Sequence, residues 1–542
     1  MAVPQTPHII FICMTVPFKC EEKIPKVIMI LSSISAVTAT AVAITFVVIA
    51  TSLIITRVVY NYYFHPLAGF PGPWYAAVTS LILAIISVRR AEPDWLIGLT
   101  KKYGNDKPIR IAPGLLLFPK ANALKDIYWD PECNLKAELY GTGALGPPSM
   151  FTTLEGDHHR RMRKALGGSQ WTIGSLKNTW EPRLDELITL FIEKLSGFAE
   201  ARQDIVLGDK LPQFAADVLT MLAFTEPWGF IRNSRDERNF LKSWREGLGY
   251  LAFAGRWKAY RDYVLKNPMV APYFLPRPSD TFGMGYLASF ADEQVTKREK
   301  DMKESKGSWH MDNPDLLQYC LDARYSDGIS LSDAEKRAHI TLLIQAGADT
   351  TGTALGCTLR FFLMHHAVLQ RARAEIKAAD QAGKLSRPIA YEESRKQLPY
   401  FSACIKESLR LNPPAANLFA RVIPAAGKRI AGVFVPGAAE VTTNAYVVQR
   451  DPELSGPDPE AFRPERWLEA GRGSLMDAAI FTFGMGPRVC IGKDVAYMEL
   501  WKLLPEIIRN FDIELLDPGR FVVVGGVAFN EGLHVLLTSK SL

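Results

Sequence analysis

The pattern of hydrophobic and polar positions predicts a mostly helical domain with small sheets. Apolar residues recur with helical periodicity from residue 94 to about residue 373, because one face of a helix repeats every three to four residues. Clear amphipathic stretches cover residues 181–199, 210–224 and 334–365. Runs typical of strands are few and short, and they cover residues 109–111, 115–118, 433–435, 440–443, 521–524 and 534–538.

An uncharged apolar segment near the N-terminus predicts one transmembrane helix. Residues 27–55 contain no charged side chain, and about 20 apolar residues suffice to cross the roughly 30 Å hydrocarbon core of a bilayer. A secretory signal peptide is the alternative, but its apolar region is shorter and follows a short basic start. We therefore expect a tail over residues 1–26, an anchor over 27–55, a proline-rich hinge over 56–75 and a globular domain over 76–542.

The residues that flank this segment give two further indications. Lys19, Lys23 and Lys26 precede the span, and Arg57 is the only nearby cation after it. This distribution by itself favours a cytoplasmic N-terminus. Aromatic side chains, which favour membrane interfaces, follow the span at Tyr60, Tyr62, Tyr63 and Trp74.

Composition and charge exclude several classes of protein. The chain has 542 residues, of which 48% are hydrophobic and 22% charged, a balance typical of a protein with a large buried core. The 63 lysines and arginines exceed the 57 aspartates and glutamates by only 6, so we expect no nucleic-acid partner. The 7 cysteines include no CxxC pair, which argues against a zinc ribbon and a disulfide framework.

A glycine motif at residues 141–146 matches the dinucleotide-binding pattern GxGxxG letter for letter. That pattern needs a strand before it and a helix that opens at its end. Here a charged segment precedes the motif, and Pro147 and Pro148 follow it directly, so the context does not suit a phosphate-binding helix start. We interpret these glycines as a flexible loop.

A single cysteine near the C-terminus carries the strongest chemical signal. Cys490 lies in a loop with Gly486, Arg488 and Gly492, at the start of a predicted amphipathic helix over residues 493–511. The glycines allow a tight backbone turn around the sulfur, and the N-terminal end of a helix stabilises a thiolate. Such a thiolate is a good axial ligand for a flat, iron-bearing ring. The alternative is a buried structural cysteine, which is the usual role of a lone cysteine.

The residues around the cysteine favour the ligand interpretation. The pattern F-x-x-G-x-R-x-C-x-G is the haem-binding signature of cytochromes P450, and its fixed positions are filled by Phe483, Gly486, Arg488, Cys490 and Gly492. The chain therefore resembles this family, and its hinge is similar to that of filamentous-fungal microsomal members. The resemblance implies the cytochrome P450 fold, mainly α with small β-sheets, behind one N-terminal transmembrane helix. It also implies a non-covalent haem b with Cys490 as the axial ligand of the iron.

The E-x-x-R sequence of Glu407 and Arg410 is informative only in its context. The same spacing recurs elsewhere in the chain, and a solvated ion pair is its usual meaning. Here a Pro-Pro pair follows it, and Arg466 lies in a proline-rich segment upstream of the cysteine. The resemblance implies that Glu407, Arg410 and Arg466 form a buried structural triad, which locks the irregular segment over residues 451–467 and is not catalytic.

An acid and an alcohol lie inside a predicted apolar helix. Asp349 and Thr350 follow Ala346 and Gly347 there, and a threonine hydroxyl within a helix often bonds the carbonyl four residues earlier. The alternative is a polar helix face. The sequence is similar to the family's A/G-G-x-D/E-T motif, which implies that Asp349 and Thr350 hold water and deliver protons for the cleavage of O2.

The resemblance also implies which side chains bind the haem carboxylates and the substrate. The carboxylate ligands would be Arg488, Arg421, His159 and Arg163. The last two match the family's W-x-x-x-R, with histidine where tryptophan is usual, and a solvated basic helix face that docks an electron donor is the alternative. By position, the substrate contacts are mostly small or apolar, as a hydrophobic substrate requires, and we expect them at Leu343, Ala346, Asn417, Phe419 and Phe529.

The implied activity is that of a membrane-anchored haem-thiolate monooxygenase of the endoplasmic reticulum. Such an enzyme uses O2 and NADPH-derived electrons from NADPH–cytochrome P450 reductase, with cytochrome b5 as a second donor, to oxidise a lipophilic molecule, here of secondary metabolism. Because the reductase faces the cytosol, the resemblance places the catalytic domain there, against the lysine distribution. Two alternatives stay open: a haem-thiolate isomerase or dehydratase that works without O2, and a non-catalytic haem- or lipid-binding membrane protein.

Overall fold

The chain divides into two compact units in a computed structural model, Met1–Phe64 and His65–Leu542. The structure describes residues 36–133, 135–305 and 310–540. In the first unit, helix α1 covers Ala36–Val59 and continues as a π-helical turn over Tyr60–Phe64. The stretch Ala41–Phe64 has a mean hydropathy of 2.3 and is long and apolar enough to cross a membrane. Residues 27–35 of the predicted anchor lie outside the described residues, and the helix continues past the predicted end at residue 55.

The second unit is mainly helical, as predicted. The amphipathic stretches at 181–199, 210–224 and 334–365 form helices α8, α9 and α15, whose bounds follow. The α-helices in chain order are α2 (Trp74–Val78), α3 (Leu81–Val88), α4 (Glu92–Tyr103), α5 (Leu124–Tyr128), α6 (Gly156–Leu166), α7 (Ile173–Ser175), α8 (Glu181–Glu200), α9 (Leu207–Phe224), α10 (Phe230–Asn233), α11 (Phe240–Arg256), α12 (Lys258–Tyr260), α13 (Gly283–Glu304), α14 (Leu316–Asp322), α15 (Asp333–Met364), α16 (His366–Gln381), α17 (Tyr391–Gln397), α18 (Pro399–Leu411), α19 (Ala445–Val448), α20 (Pro452–Ser455), α21 (Arg472–Ala479) and α22 (Lys493–Asn510).

Short strands form four small sheets in the described part of the second unit. The strands are β1 (Ile109–Ala112), β2 (Leu115–Leu117), β3 (Ile205–Val206), β4 (Arg421–Val422), β5 (Lys428–Ile430), β6 (Val433–Val435), β7 (Glu440–Thr442), β8 (Phe511–Asp517), β9 (Arg520–Val524), β10 (Val527–Glu531) and β11 (His534–Ser539). The sheet orders are β1-β2-β7-β4, β3-β11-β8, β5-β6 and β9-β10. All pairs are antiparallel except β2 with β7, where Leu115 lies opposite Glu440.

Each predicted strand run corresponds to an observed strand, and several strands have no clear sequence signal. Strand β8 alternates buried and accessible residues at its start, but it follows α22 at Phe511 without a loop, so no turn residue marks where it begins. The glycine motif at 141–146 behaves as a loop: a short 3-10 turn ends at Gly141, and the next α-helix begins only at Gly156.

Helix α15 runs through the main hydrophobic core and packs against α9, α13, α14, α18 and α22. A capping box starts this helix, because the Ser332 hydroxyl accepts from the N–H of Glu335 and the Glu335 carboxylate accepts from the N–H of Ser332. Helices α9 and α15 approach closely at Gly352, where a Cβ would lie 2.5 Å from the Cα of Pro212. The absence of a side chain at Gly352 therefore sets the spacing of these two helices.

Candidate active site

Backbone hydrogen bonds and one close approach fold the loop that carries Cys490. The N–H of Cys490 donates to the carbonyl of Phe483, with an N···O distance of 2.8 Å. Gly486 has φ +73°, and a Cβ there would lie 2.2 Å from the carbonyl oxygen of Tyr128, so only glycine fits. Gly492 has φ −86°, and a Cβ there would have no described atom within 4 Å. The predicted backbone constraint therefore holds at Gly486 and not at Gly492.

The side chain of Cys490 is accessible in the loop that precedes α22. It is exposed and sits just before the start of α22. Desolvation raises its pKa, and the N–H of Gly492 with the charges of Arg163 and Lys493 offsets only part of this. A bound metal ion would supply the missing positive charge and deprotonate the thiol. The other described cysteines are buried, namely Cys133, Cys320, Cys357 and Cys404.

Basic side chains gather around Arg488 of the cysteine loop and repel each other. Burial lowers the pKa of Lys136 well below its ordinary value, and the charges of Arg488 and Arg421 lower it further. Burial and Lys136 lower the pKa of His159 to about 3, so its imidazole is neutral at pH 7. Burial and Arg421 likewise lower the pKa of Arg488 to about 10. This basic cluster of Lys136, His159, Arg421 and Arg488 suits an anion that lies among its members.

Neutral groups hold the basic cluster in place. The Nζ of Lys136 donates to the carbonyl oxygens of Met150 at 3.1 Å and Phe151 at 2.7 Å. Arg421 donates to the Tyr140 hydroxyl at 3.3 Å and to carbonyls of its own segment. Across residues 36–133, 135–305 and 310–540, Lys136 and Arg421 form no ion pair with an acidic side chain. Their charge is therefore not neutralised by the protein.

Arg163 contacts the cysteine loop, since its Nη1 donates to the carbonyl oxygen of Val489 at 2.9 Å. Its predicted role as a ligand of a haem carboxylate stays a prediction. Phe483, the first residue of the signature, is half-buried and packs edge-on against Tyr497, with the ring centres 5.1 Å apart. The structure thus brings Phe483, Arg488 and Cys490 together with Arg163 of α6.

One face of α15 is open in the middle of the core. Ala346 is exposed and Thr350, one turn later, is half-buried, although most of this helix is buried. The Thr350 hydroxyl donates to the carbonyl oxygen of Ala346 at 2.8 Å, as the helix pattern predicts. Its oxygen keeps lone pairs that accept a hydrogen bond from water.

Asp349 lies on another side of α15 and is paired with Arg245 of α11. Arg245 Nη2 donates to Asp349 Oδ1 at 2.7 Å, and its Nε lies 3.2 Å from both carboxylate oxygens. Burial alone would lower the pKa of Arg245, but the charges of Asp349 and Asp209 raise it, so the guanidinium stays protonated. In the described part of the chain, the side chains of Asp349 and Thr350 bond to Arg245 and Ala346 and not to each other. The acid and the alcohol are neighbours in sequence with separate surroundings.

Glu407, Arg410 and Arg466 form a fully buried network. Arg410 Nε donates to Glu407 Oε2 at 2.9 Å, and Arg466 Nε donates to Glu407 Oε1 at 2.8 Å. The side chains are 0–1% exposed. Burial alone would raise the pKa of Glu407, but both arginines hold it below its ordinary value. Both arginines also donate to backbone carbonyls of the irregular segment between residues 449 and 461.

The residues expected to contact substrate have unlike surroundings. Ala346 is exposed on α15, whereas Leu343 is buried in the core. Phe419 is half-buried against Phe481, and Phe529 is buried on β10 with the Arg245 guanidinium 5.3 Å from its ring centre. Asn417 is buried, and its Oδ1 accepts from Arg256, which also forms a buried ion pair with Glu92. Asn417 therefore already serves a structural network.

Sequence reasoning missed Lys136 and Arg245. Lys136 lies in a mixed segment without periodicity, and a lone lysine there is normally solvated. Arg245 lies on the amphipathic helix α11, where a charged residue usually marks the solvent face. Only the approach of α11 to α15 shows that this arginine meets a buried acid.

These features define a haem-thiolate site, and comparison with known proteins assigns the family. The cytochrome P450 family profile matches residues 141–522. Cytochrome P450 monooxygenase gsfF of Penicillium aethiopicum is 31% identical over 492 residues, covering 88% of this chain and 94% of that protein. A cytochrome P450 monooxygenase of Aspergillus terreus is 30% identical over 465 residues, covering 83% and 91%. Cytochrome P450 monooxygenase aba1 of Botryotinia fuckeliana is 30% identical over 466 residues, covering 84% and 88%. The chain belongs to the cytochrome P450 family and is a P450 monooxygenase.

The residues present fit the haem that this family binds. An accessible sulfur just before a helix start suits the axial bond to iron. The basic cluster, in which Lys136 and Arg421 form no ion pair with an acidic side chain of the described residues, suits the two carboxylates of haem b.

The buried network predicts a large loss of stability when Glu407 is replaced. Glu407→Gln leaves two buried guanidinium groups without a counter-charge, and we expect the free energy of unfolding to fall by about 3–5 kcal/mol. Urea unfolding followed by tryptophan fluorescence measures this. Glu392→Gln is the control, because Glu392 is exposed and pairs with Lys177, and it should cost less than about 1 kcal/mol. Equal losses for both variants would contradict a buried structural role.

The basic cluster predicts that removing one of its charges stabilises the haem-free protein and weakens haem binding in the loaded protein. In Lys136→Met, the haem-free protein should unfold at a higher temperature, because one repelling charge is gone. The loaded protein should lose haem about 10-fold faster, as the loss of one charge-assisted hydrogen bond implies. Haem transfer to apomyoglobin and thermal unfolding measure these effects, with Lys164→Met on the exposed face of α6 as the control. Unchanged haem loss would separate Lys136 from the carboxylate site.

Proposed function

We propose that this P450 monooxygenase uses O2 and NADPH-derived electrons from a separate reductase to oxidise a lipophilic small molecule of secondary metabolism. The observation that carries this proposal is the accessible Cys490 sulfur together with the basic side chains of Lys136 and Arg421, which form no ion pair with an acidic side chain in the described part of the chain. Further support comes from fungal relatives that are named cytochrome P450 monooxygenases.

Residues of this chain would bind the haem at its iron and at its carboxylates. Cys490 would bind the iron, and Lys136, His159, Arg421 and Arg488 would bind the carboxylates. When bound, haem supplies the activation of O2 and the transfer of one oxygen atom to a substrate C–H bond. NADPH and the reductase supply the electrons, with cytochrome b5 as a second donor.

Thr350 and Asp349 would manage protons from two sides of α15. The Thr350 hydroxyl donates to the Ala346 carbonyl, and its oxygen would accept a hydrogen bond from water on the open helix face. The Asp349 carboxylate is 1% exposed, whereas Arg245 is 22% exposed, so the ion pair connects a buried proton acceptor to the protein surface. Arg245 is a positioning residue, because its hydrogen bonds orient the carboxylate.

Helix α1 supports a membrane anchor. Its exposed apolar side chains would lie in the endoplasmic reticulum membrane, and the catalytic domain would face the cytosol, where the reductase supplies electrons. Residues 1–26, 27–55, 56–75 and 76–542 would then be the tail, anchor, hinge and catalytic domain.

The ligand assignment predicts a spectral signature. Reduced membranes that carry the protein should give an absorption maximum at about 450 nm with carbon monoxide, and Cys490→Ala should abolish it. Cys404→Ala, at a buried cysteine, should retain the band. A haem-loaded Cys490→Ala protein with the same band would overturn the assignment. Product formation that continues without NADPH and O2 would instead indicate an isomerase or dehydratase.

The ion pair between Asp349 and Arg245 predicts that replacing Asp349 lowers the reaction rate and leaves the absorption spectrum unchanged. Asp349→Asn should lower the rate of substrate-dependent NADPH oxidation by about 10²-fold, the usual scale of a lost proton-transfer group, and leave the 450 nm band unchanged. Arg245→Lys keeps the charge and should recover most of the rate, whereas Arg245→Met should not. Asp333→Asn, in the exposed first turn of the same helix, is the control. A wild-type rate in Asp349→Asn would exclude Asp349 from proton delivery.

A further inference from the structure

Two hydrogen-bond donors hold the side-chain amide of Asn417 in one orientation. Its Oδ1 accepts from Nη2 of Arg256 at 2.9 Å and from the backbone N–H of Leu418 at 2.8 Å. Neither a guanidinium group nor a backbone N–H accepts a hydrogen bond. An amide nitrogen at this place would face two donors, so the oxygen lies here and Nδ2 points away from both.

A buried carboxylate holds Arg256 in the position from which it donates to Asn417. Arg256 is the last residue of α11, and Glu92 is the first residue of α4. Nε of Arg256 donates to Oε2 of Glu92 at 3.0 Å, and Nη2 donates to Oε1 at 2.9 Å. The two side chains are 3% and 1% exposed. This bidentate pair fixes the plane of the guanidinium and therefore the direction of its hydrogen bond to the amide.

The other half of the amide is unused. Among the residues that the structure describes, none accepts a hydrogen bond from Nδ2 of Asn417. This nitrogen also does not belong to the fully buried polar atoms without a partner, so it reaches open space. An amide N–H without an acceptor is costly, and here water or a bound molecule supplies the acceptor.

The neighbours of this amide show where the open space lies. Ala415 and Phe419 are half-buried, whereas the residues that alternate with them are 0–1% exposed. The amide therefore shares one open side of the segment with these two side chains. The segment leads directly into Arg421 of the basic cluster, where β4 begins. This open side thus lies next to the proposed haem site.

We propose that Asn417 is a specificity-determining residue whose Nδ2 donates a hydrogen bond to an oxygen of the substrate, and that Arg256 and Glu92 are its positioning residues. The substrate is then a lipophilic molecule with a carbonyl, ether or hydroxyl oxygen at the place that meets this amide. An analogue without the oxygen would leave the donor unpaired, which is how such a site rejects it. The inference rests on the proposed function, because it requires a substrate beside the haem.

The test uses imidazoles that carry an alkyl chain, in the haem-loaded full-length protein. The ring nitrogen binds the iron, so the chain lies in the substrate space, and the shift of the haem absorption band gives the dissociation constant. Chains of increasing length are compared as the plain hydrocarbon, with one ketone, or with one hydroxyl. We expect the wild type to bind a ketone of matching length about 10-fold more tightly than its hydrocarbon counterpart, as one hydrogen bond implies.

Two substitutions of Asn417 separate its donor from its shape. Asn417→Leu keeps a similar volume without the donor, and it should bind ketone and hydrocarbon equally. Asn417→Asp replaces the donor with an acceptor, and it should favour the alcohol over the ketone. The control is Asn233→Leu on α10, where Asn233 is exposed and donates to Glu237, and it should keep the ketone preference.

The double variant Glu92→Leu/Arg256→Met tests the positioning role. It removes both charges together, so that neither is left buried without its partner. We expect the ketone preference to fall several-fold, because the amide is then held by one donor only. A purely structural role of the ion pair would weaken the binding of ketone and hydrocarbon alike. An unchanged ratio of the two dissociation constants would therefore overturn the positioning role.

The proposal fails if the wild type binds ketones and hydrocarbons equally at every chain length, or if Asn417→Leu keeps the ketone preference. If Asn417→Leu does not take up haem, Asn417→Asp decides, and a preference for the ketone in that variant would overturn the proposal. Failure of the proposed function looks different. The wild-type protein would then lack the carbon monoxide band of a haem thiolate and would show no spectral shift with imidazole itself.

Discussion

A single buried carboxylate organises the part of the chain that leads to the cysteine. Glu407 accepts hydrogen bonds from Arg410, Arg466, the indole of Trp467 and the N–H of Arg463. The arginines in turn hold backbone carbonyls of a segment with little regular structure. In this segment, charge-assisted hydrogen bonds from arginines satisfy backbone carbonyls that backbone N–H groups would satisfy in a helix or sheet. Without this negative charge, two guanidinium groups would be buried with no compensation.

Gln449 connects the network around Glu407 to the loop that carries Cys490. Gln449 accepts from Arg410 at its backbone carbonyl, donates to the end of α18 and accepts from the N–H of Phe481, where the cysteine loop begins. The loop is therefore anchored at its start by this network and near its end by Arg163 and Phe483. Two electrostatic environments result. Near the loop, Lys136 and Arg421 form no ion pair with an acidic side chain of the described residues, whereas on α15 Asp349 is paired with Arg245.

A feature of the fold or the site could be predicted from the sequence where a local pattern of residues specifies it. Helix α15 and the cysteine loop have strong local signatures, so periodicity and a fixed motif located both. Glu407 and Arg466 were found through motif order, since an E-x-x-R pair alone is common. Lys136 and Arg245 have no such pattern, because their roles arise from contacts between segments far apart in the chain. The glycine at 492 shows the opposite error, since a steric reason was expected where the backbone needs none.

The last strand gives the C-terminus an unusual position. Strand β11 lies in the middle of its sheet, with β3 on one side and β8 on the other, and β8 continues from the helix that begins beside Cys490. The last described strand is therefore an interior strand of its sheet. Loss of the whole strand would expose the edges of β3 and β8 at once, and loss of its last residues alone would free Phe511, where α22 passes into β8. For protein engineering, a fusion partner or tag here needs a linker that begins only after Lys540, which donates to the carbonyls of Asn510 and Ile508 at the end of α22.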